Sequence, residues 1–489
     1  MIFAFILLSL TSSLPLTTQL LEISTRPYLY KLSLRLGRKA TLKDIPTEDF
    51  DEWKNKGFKW IWFMGVWKLG DYGLTIDKTD PDTTKIYKNY LPDWKEDDVI
   101  GSPYAIVKYD VNVEIGGEEE LKIVRQELKN RGMKLMLDFV PNHSAVDAEE
   151  AVSKKNFYIR EPQGAIHDTN KYMDNGITYG LGCLKDVIQY NYFDMECREH
   201  QINAIKKISQ MCDGIRVDFS FLMLNDVFEK NWKLELDAWG YKRPEKEFWP
   251  DAIQAVKLQN KDFIFLAECY DQYEPEIIRQ GFDYSYDKEL YDRLVQKSQR
   301  LFSLELNNRS RSYIKHMVYF TENHDEQRAV KEFGNVSAGN AASAALLTLP
   351  GVRFVNFEQW KGYKNKIEIH LRRAADEEEN PQAIRFYEKL FKVINMNCVK
   401  NGYFQQLKIN NDFDIPCWRY TDGKESVIII INYDTNKNGG FIKVPDAPHG
   451  KIIFQDILND FTYINNGTLI KREGLFVTLN PYEVRILRY

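Results

Sequence analysis

The sequence predicts an α/β fold: a (β/α)8 TIM barrel with an inserted subdomain after the third strand and a C-terminal antiparallel β-domain. Short apolar strands alternate with helical segments over most of the chain, one long irregular segment interrupts this alternation, and the last part changes to strands and turns. Apolar strands that each follow a helix are typical of parallel strands buried on both faces. A doubly wound open sheet is the alternative.

The strand and helix units can be counted along the chain. The segment "EEELKIVRQELKNRG" places apolar residues at helical spacing, ends in Gly and leads into "MKLMLDFV", and the same order recurs before "DGIRVDF" and "FIFLAEC". The eight predicted strands are "PYLYKLSL", "FKWIWFMGVW", "MKLMLDFV", "DGIRVDF", "FIFLAEC", "GFDYSYD", "HMVYFTEN" and "VRFVNFE". Eight such units favour a closed barrel.

Changes in composition place the domain boundaries. The chain after Ser144 is irregular and rich in Asp, Asn, Gly and Tyr, and a loop of that length is usually functional. The β-branched run "SVIIIINY", bounded by turn residues, is typical of a β-domain. The predicted parts are a signal peptide over 1–22, the barrel over 23–400, the inserted subdomain over 144–195 and a C-terminal β-sandwich over 401–489.

The first residues bear on localisation. An apolar run from Ile2 to Leu10, followed by small polar residues, is too short for a membrane span and suits the apolar part of a secretory signal. No Lys or Arg precedes the run, so a buried first strand or helix is the alternative. We therefore expect a secreted or lumenal protein, with the cytoplasm as the alternative.

Composition limits the classes of molecule that this protein is expected to bind. The net charge is -5 over 489 residues and no run of Lys or Arg stands out, so we expect no nucleic-acid partner. We also expect no membrane span and a monomer. Aromatic residues make up 13% of the chain, which suits stacking on sugars but equally the packing of a large core. The six cysteines show no CxxC spacing, so most are expected to be free thiols, with one disulfide left open.

The stretch "CDGIRVDFSFLML" places two charged residues inside an apolar strand. Residues two apart in a strand face the same side, so Arg216 and Asp218 point together. In a barrel, the inward face at the carboxyl end of a strand is where catalytic groups lie. A buried ion pair without chemistry is the alternative for this stretch alone.

Three further strands also end in ionisable or polar residues. Glu268 closes "FIFLAE", and the other two strands end in "DFVPNH" and "ENHD", which hold Asp138, Asn142, His143, Glu322, His324 and Asp325. Burying several unpaired carboxylates is costly, so their gathering at one end of a barrel is better explained by function than by stability.

Paired carboxylates point to glycoside cleavage with retention of configuration. That reaction needs one carboxylate as nucleophile and one protonated carboxyl group as acid. Arg216 would lower the pKa of Asp218 and keep it ionised, whereas desolvation at the end of an apolar strand would raise the pKa of Glu268. Hydrolysis at a metal is less favoured, because the sequence has no HxH or HExxH motif.

The four strand-end motifs together resemble glycoside hydrolase family 13, the alpha-amylase family. In order they are "DFVPNH" from Asp138, "GIRVD" from Gly214, "AE" ending at Glu268 and "ENHD" from Glu322. Each motif alone is weak, but four in the family's order are specific. The long loop after "PNH" and the closing β-domain also resemble parts of that family, so the resemblance covers roughly residues 25–489.

The resemblance implies a role for seven residues. Asp218 is implied as the nucleophile, Glu268 as the general acid and base, and Asp325 as the residue that stabilises the transition state. The residues implied to bind the sugar are Tyr104 (as a stacking platform), His143, Arg216 (which would orient the nucleophile) and His324.

Departures from the family pattern concern substrate and calcium. Many amylases carry a Lys-His pair where this chain has Phe221 and Leu222, and an Asp where it has Ala105. Asn142 occupies a family calcium-ligand position, but a hard-cation site needs six or more oxygens. We expect no cofactor for the chemistry and leave a structural calcium ion open.

The expected function is a retaining glycoside hydrolase that cleaves α-glucosidic bonds, α-1,4 bonds in α-glucans or malto-oligosaccharides, through a covalent glycosyl-enzyme intermediate. Its expected partner is therefore a carbohydrate substrate. A transglycosidase, or a relative that acts on sucrose or trehalose, is one alternative, because the acceptor of the glycosyl group is set by subsite details. An inactive carbohydrate-binding or interaction protein is the alternative of another class.

Overall fold

A computed structural model describes residues 15–410, 414–444 and 447–489. Its strands are β1 (Thr17–Ser24), β2 (Trp60–Met64), β3 (Trp67–Leu69), β4 (Ile106–Val111), β5 (Lys134–Phe139), β6 (His143–Ala145), β7 (Tyr179–Gly180), β8 (Leu184–Gln189), β9 (Gly214–Val217), β10 (Ile264–Ala267), β11 (Tyr284–Tyr286), β12 (Met317–Tyr319), β13 (Gly351–Asn356), β14 (Tyr403–Gln406), β15 (Ile409–Asn410), β16 (Cys417–Thr421), β17 (Ser426–Ile431), β18 (Asn438–Ile442), β19 (Lys451–Asp456), β20 (Phe461–Asn466), β21 (Leu475–Leu479) and β22 (Val484–Arg488).

The α-helices are α1 (Thr25–Leu36), α2 (Thr47–Lys56), α3 (Asp71–Thr79), α4 (Pro81–Tyr90), α5 (Gly117–Asn130), α6 (Glu149–Ser153), α7 (Met195–Met211), α8 (Asn225–Ala238), α9 (Phe248–Lys257), α10 (Glu274–Arg279), α11 (Lys288–Val295), α12 (Gln299–Asn308), α13 (Arg311–Ile314), α14 (Ala329–Glu332), α15 (Val336–Leu347), α16 (Pro381–Ile394), α17 (Asn397–Asn401) and α18 (Gly467–Glu473). Short 3-10 turns lie at Leu42–Asp44, Glu96–Asp98, Val113–Ile115, Lys155–Phe157, Ser220–Met223 and Gln359–Lys361.

Eight parallel strands close into a barrel in the order β1-β13-β12-β11-β10-β9-β5-β2. The first strand joins the two ends of the sheet, because Leu20 lies opposite both Phe354 of β13 and Trp60 of β2. The strands are short and buried on both faces, as parallel strands covered by helices are. The predicted barrel is confirmed. The carboxyl ends of its strands meet at one rim, which is where the candidate site lies.

The position of the first strand corrects the sequence analysis. The predicted strand "PYLYKLSL" lies within α1, whose buried residues Tyr28, Leu29 and Leu32 fall on one helical face. The barrel uses β1 instead, and a signal peptide ending at residue 22 would remove residues 17–22 of that strand. The start of the predicted signal peptide, residues 1–14, lies outside the described residues. A short apolar run fits a strand, a helix or a leader equally well, so its pattern alone does not place the boundary between a leader and the barrel.

Two long connections interrupt the alternation of strand and helix. Between β5 and α7 lies the small antiparallel sheet β6-β8-β7, in the region where the sequence predicts an inserted subdomain. Between β2 and α5 lie α3, α4 and the antiparallel pair of β3 and β4, an insertion that the sequence did not predict. Both connections leave the carboxyl ends of barrel strands and therefore stand over the same rim.

The C-terminal part is antiparallel, as predicted. A six-stranded sheet has the order β14-β16-β17-β22-β19-β20, and a second sheet has the order β15-β18-β21. The β-branched run of β17 is explained by burial on both faces. Ile429 and Ile431 pack into the core shared with the barrel, whereas Ile428 and Ile430 pack into the core between the two sheets.

All six cysteines are free thiols, so no disulfide forms between them. Within the described residues, no helix combines the length and the apolar character that crossing a membrane requires. The exact domain boundaries, secretion and the monomeric state stay predictions.

Truncation of a buried side chain in β17 tests this packing. Ile429 is fully buried, so we expect Ile429→Ala to lower the free energy of unfolding by about 2–5 kcal/mol. Ile464→Ala is the matched control, because that isoleucine is 58% exposed and its truncation should change stability by no more than about 0.5 kcal/mol. Urea denaturation of both variants measures the difference. Equal losses would contradict the two-faced burial of β17.

Candidate active site

A single buried guanidinium group joins the two principal carboxylates. Arg216, on β9, has no exposed surface, and its Nη1 donates a hydrogen bond to Asp218 Oδ1 at 2.6 Å. Its Nη2 lies 2.8 Å from Glu268 Oε2. Three aromatic rings, each centred within 6 Å of the guanidinium carbon, surround this cation: those of Trp62, Tyr104 and Tyr286. The predicted pairing of Arg216 with Asp218 is therefore present and extends to a second carboxylate.

The two oxygens of Asp218 differ in their surroundings. The residue follows β9 directly, and its backbone N–H donates to the Phe139 carbonyl at 2.9 Å, which fixes it at the barrel rim. Oδ1 is held by Arg216, whereas Oδ2 is buried and has no hydrogen-bond partner among the described residues. Oδ2 is thus the oxygen that is free to react with a ligand.

The pKa of Asp218 corrects one expectation. Arg216 does act to lower this pKa, as predicted, but burial acts more strongly and raises it above the usual range of an aspartate. Asp325 and Asp138 raise it further, because each adds negative charge nearby. The guanidinium group therefore limits the rise of the pKa rather than setting a low value.

Glu268 is held at both oxygens. It follows β10, its Oε1 accepts a hydrogen bond from the Tyr270 hydroxyl at 2.6 Å, and its Oε2 accepts one from the Phe219 backbone N–H at 2.7 Å. Phe219 has a φ of 40°, a left-handed conformation that is uncommon for a bulky residue. This turn directs the N–H of the residue after Asp218 towards the second carboxylate, which relates the two groups in space.

The pKa of Glu268 is raised to about 7, chiefly by burial and further by the charges of Asp218 and Asp325. Arg216 and the Tyr270 hydroxyl oppose this rise. A carboxyl group with this pKa holds its proton in an appreciable fraction of molecules near neutral pH, as a general acid must. The sequence-based expectation of a raised pKa at Glu268 agrees with this direction.

A second charge network begins at the loop after β12. His324 Nδ1 lies 2.5 Å from Glu22 Oε1, while its Nε2 lies 2.7 Å from the Tyr104 hydroxyl and 3.1 Å from Asp325 Oδ2. Burial would lower the pKa of His324, but Asp325 and Glu22 outweigh it and raise the pKa to about 10. The imidazole is therefore a cation at neutral pH.

Asp325 is the accessible carboxylate of the site. Its side chain is 43% exposed, in contrast to the buried side chains of Asp218 and Glu268. Desolvation by the surrounding groups opposes ionisation, but the His324 imidazolium outweighs it and holds the pKa of Asp325 well below its usual range. Asp325 is therefore ionised and exposed, and can accept hydrogen bonds from a ligand's hydroxyl groups.

Tyr104 and His143 complete the predicted set. The Tyr104 ring lies 5.4 Å from the His324 ring and 5.5 Å from the Arg216 guanidinium carbon. His143 begins β6 and is buried, which lowers its pKa to about 4 and keeps it neutral. Tyr104 therefore joins the two charge networks, and His143 is an uncharged imidazole.

More than half of the chain matches a known protein family. The family model described as alpha amylase, catalytic domain, matches residues 101–389, which is more than half of the chain. The chain belongs to the alpha-amylase family. The predicted resemblance to this family is confirmed.

Individual relatives are distant. The chain is 23% identical over 268 residues to Alpha-amylase MalA of Haloarcula japonica, covering 53% of this chain and 36% of that protein. It is 22% identical over 332 residues to the cyclomaltodextrin glucanotransferase of Geobacillus stearothermophilus, covering 63% and 44%. The matched region thus spans less than half the length of these relatives.

Solved structures show the same fold. A noncanonic maltogenic alpha-amylase, AmyB from Thermotoga neapolitana, superposes with a TM-score of 0.68 at 19% identity, over 96% of this chain and 98% of that one. An alpha-amylase from Lactobacillus plantarum gives the same TM-score, identity and coverage. At such identities the likeness concerns the fold alone.

The residues around Asn142 do not fit the calcium ion that the alpha-amylase resemblance left open. Gln189 Nε2 donates to the Asn142 carbonyl at 2.8 Å, to Asn142 Oδ1 at 3.0 Å and to the Tyr190 carbonyl at 3.1 Å. An amide N–H group thus occupies the point where three oxygens converge, whereas calcium requires a shell of oxygen ligands. Among the residues that the structure describes, no group of three or more His, Cys, Asp or Glu could hold a metal ion.

Sequence reasoning missed three residues of this site. Glu22 on β1 pairs with His324 but was assigned to the predicted signal peptide. Tyr270 holds Glu268, and its only signal was its position just beyond a strand end. Trp62 on β2 packs beside Arg216 and donates to Asp138 Oδ1 at 3.1 Å, so Asp138 ties two strands together instead of facing a ligand.

The hydrogen bond from Tyr270 can be tested by titration. Its loss in Tyr270→Phe should raise the pKa of Glu268 and move the alkaline limb of the activity profile upward by about one pH unit. This size follows because a hydrogen bond to a charged group contributes about 1.5 kcal/mol and 1.36 kcal/mol equals one pKa unit. The measurement is kcat/KM against pH on an aryl α-glucoside.

Tyr273→Phe is the control for this titration, since Tyr273 lies in the same aromatic group and stacks on Phe221 with 5.5 Å between ring centroids. The control should leave the alkaline limb in place. An unmoved or lowered limb in Tyr270→Phe would show that the hydroxyl does not stabilise the ionised form of Glu268.

Proposed function

We propose that the chain is a retaining glycosidase that cleaves α-glucosidic bonds, specifically α-1,4 bonds of α-glucans or malto-oligosaccharides, through a covalent glycosyl-enzyme intermediate. One observation carries the proposal: Arg216 holds one oxygen of Asp218 and leaves the other free, while it also contacts Glu268, whose pKa is about 7. A nucleophile and an acid at one site are what a retaining mechanism needs. Membership of the alpha-amylase family supports the α-glucan substrate.

In the first step, Glu268 donates its proton to the glycosidic oxygen while Asp218 Oδ2 attacks the anomeric carbon. The bond from that carbon to the leaving oxygen breaks as the ester bond to Asp218 forms. Positive charge develops on the sugar ring in the transition state, and Asp325 and Asp218 stabilise it electrostatically. Arg216 keeps Oδ1 in place, so that Oδ2 is the oxygen presented to the sugar.

In the second step, the ionised Glu268 takes a proton from water, and the oxygen of that water attacks the anomeric carbon and releases Asp218. The remaining groups position the sugar. Tyr104 offers a ring face, Asp325 accepts from hydroxyl groups, and neutral His143 can donate one hydrogen bond and accept another.

Transfer to a second sugar is the other candidate, and a specific surface favours it. Phe219 is 37% exposed beside Glu268, the rings of Phe221 and Tyr270 pack against it, and Tyr273 stacks on Phe221. An apolar platform on the leaving-group side can hold the ring face of an acceptor sugar in place of water. One relative is named as a glucanotransferase, which agrees with this candidate. An inactive binding protein would have no need of the paired carboxylates.

Removal of the nucleophile is the direct test of the proposal. We expect Asp218→Asn to lower kcat on malto-oligosaccharides by about 10³-fold or more, because the amide is a poor nucleophile. Binding of the oligosaccharide, measured by calorimetry, should survive. Asp237→Asn is the control, since that carboxylate is 64% exposed on α8 and should keep full activity. Unchanged hydrolysis by Asp218→Asn would remove Asp218 from its role.

The pH dependence of kcat/KM should be a narrow bell. Activity requires protonated Glu268, so it should fall above about pH 7 as Glu268 loses its proton. It also requires ionised Asp218, whose pKa is raised by burial, so the acid limb should lie above the usual range of an aspartate. Initial rates over about pH 4 to 9 measure both limbs. A flat profile would contradict the assignment of the acid and the nucleophile.

A further inference from the structure

We propose that Glu22, on the first barrel strand, is a positioning residue of the reaction: through His324 it holds Asp325 in the orientation in which that carboxylate receives the sugar. The inference rests on the proposed function and deepens it, because it adds to the site a carboxylate that none of the strand-end motifs contains. Glu22 and His324 are 302 residues apart in the chain, and the closed barrel brings them together.

Glu22 lies inside the wall of the barrel. On β1 it is opposite Trp62 of β2 and Asn356 of β13, and its side chain has no exposed surface. The side chain of Asp325, in contrast, is 43% exposed. A carboxylate that no ligand reaches can influence the reaction only through a group that lies between it and the sugar.

The imidazole of His324 is that group. Its Nδ1 lies 2.5 Å from Glu22 Oε1, and its other nitrogen, Nε2, lies 3.1 Å from Asp325 Oδ2. The ring is 2% exposed and packs edge to face against Trp62, with 5.6 Å between the ring centroids. Because packing fixes the plane of the ring, each nitrogen keeps its own carboxylate as partner.

The proton count of the ring decides what Nε2 can do. Since Nδ1 faces a carboxylate oxygen, it carries a hydrogen and donates it to Glu22. In a neutral ring, Nε2 would then carry none: it would accept from the Tyr104 hydroxyl at 2.7 Å and present a lone pair to Asp325 Oδ2. In a charged ring, Nε2 carries a hydrogen and donates it to Asp325. The charged ring alone therefore holds Asp325.

Two carboxylates keep this ring charged. Burial lowers the pKa of His324, but Asp325 and Glu22 outweigh burial and raise this pKa to about 10. Of the two, Glu22 is the one that a ligand cannot reach. When sugar hydroxyl groups donate to Asp325, the contact between Glu22 and Nδ1 remains, so the ring stays a cation during binding.

Other charges surround His324, and their signs are mixed. Asp138 on β5 acts on the ring through space. The charged residues along the two small cavities beside the ring are Arg26, Lys31, Glu326, Arg328, Glu358, Lys366 and Glu368. Lys31 and Glu358 pair with each other at 2.7 Å. Glu22 differs from all of these groups because it shares a hydrogen with Nδ1.

Asp325 needs a partner that fixes its side chain. Its backbone N–H donates to Asn323 Oδ1 at 2.9 Å, which holds the main chain, but the carboxylate itself reaches into the open part of the site. An exposed side chain occupies several rotamers unless a contact selects one. A carboxylate that is fixed before the sugar arrives stabilises the cationic transition state without reorganisation. His324 provides that contact at 3.1 Å.

Neutralising Glu22 without changing its shape tests the inference independently of activity. In Glu22→Gln we expect the pKa of His324 to fall by at least one pH unit, which is the size of a hydrogen bond to a charged group. Nitrogen-15 NMR of histidine-labelled protein follows the ring between about pH 5 and 10. The chain has seven histidines, and the signal of His324 is the one missing from His324→Asn. An unchanged pKa of His324 would overturn the inference.

Glu161→Gln is the matched control, because Glu161 Oε2 lies 2.9 Å from His167 Nδ1 in the connection between β5 and α7. It should lower the pKa of His167 and leave that of His324 in place. Glu22→Asp is a second variant, which keeps the charge on a side chain that is one carbon shorter. Its His324 should have a pKa below that of the unmodified protein and above that of Glu22→Gln. Thermal melts confirm that the compared variants are folded.

A double-mutant cycle distinguishes positioning from a structural role. The substrate is α-D-glucosyl fluoride: its anomeric C–F bond breaks, fluoride leaves, and an ester bond to Asp218 forms. We expect Glu22→Gln to lower kcat/KM at least tenfold in the unmodified protein but less than threefold in Asp325→Asn, because both changes then act on one contact. A fluoride electrode measures the rates. Equal losses in the two backgrounds would show that Glu22 does not act through Asp325.

The two measurements also separate this inference from the proposed function. An unmodified protein that releases neither fluoride nor sugar would overturn the glycosidase, whereas the titration would still decide whether Glu22 sets the charge of His324. An active unmodified protein whose Glu22→Gln variant keeps both the pKa of His324 and the rate would leave the glycosidase standing and remove Glu22 from its role.

Discussion

The site depends on one buried cation, the guanidinium group of Arg216. A charge placed in a protein interior without compensation is so costly that it determines which groups must surround it. Asp218 and Glu268 supply the compensating charge, and aromatic rings fill the rest of its shell. Because both carboxylates lie on the same guanidinium group, the positions of the nucleophile and of the acid are fixed by one side chain from β9. The barrel brings the strand ends together, and Arg216 sets their relation at the rim.

Two cations and four carboxylates then determine the electrostatics of the pocket. Arg216 lies with Asp218 and Glu268, and charged His324 lies with Glu22 and Asp325. The set carries an excess of negative charge even when Glu268 holds its proton. An excess of negative charge that is fixed before the reaction stabilises a cationic sugar ring without reorganisation, which is the largest electrostatic demand of glycoside cleavage. The same excess explains why the pKa of Glu268 is raised and why burial is not its only cause.

The sequence predicts those site residues that belong to a local motif, but not those that are recognised only by contacts between distant segments. Strand-end motifs are local, so Arg216, Asp218, Glu268 and Asp325 could be found from the chain alone. Glu22 could not, because an apolar run near the start of a chain fits a leader as well as a strand, and only pairing with β13 and β2 distinguishes them. The net rise in the pKa of Asp218 could not be predicted either, because residue spacing indicates a charged partner but not the depth of burial. The pairing of residues 98–101 with residues 369–373 joins segments far apart in sequence, and no periodicity within either segment indicates the other.

The reacting groups and the long connections over the rim are therefore carried by different parts of the chain. The strand ends hold the reacting groups, and these would serve a terminal or an internal bond equally well. The connections after β2 and β13 supply neither the nucleophile nor the acid, yet they pair with each other: the Ile100 N–H donates to the His370 carbonyl at 2.7 Å, and the Arg372 N–H donates to the Asp98 carbonyl at 2.9 Å. Asp98 stabilises this pairing, because separating the two segments would leave its buried carboxylate without Arg372 and Arg373 and would expose Leu371. A change of substrate class in such a barrel can thus arise from the loops while Arg216 and its two carboxylates remain as they are.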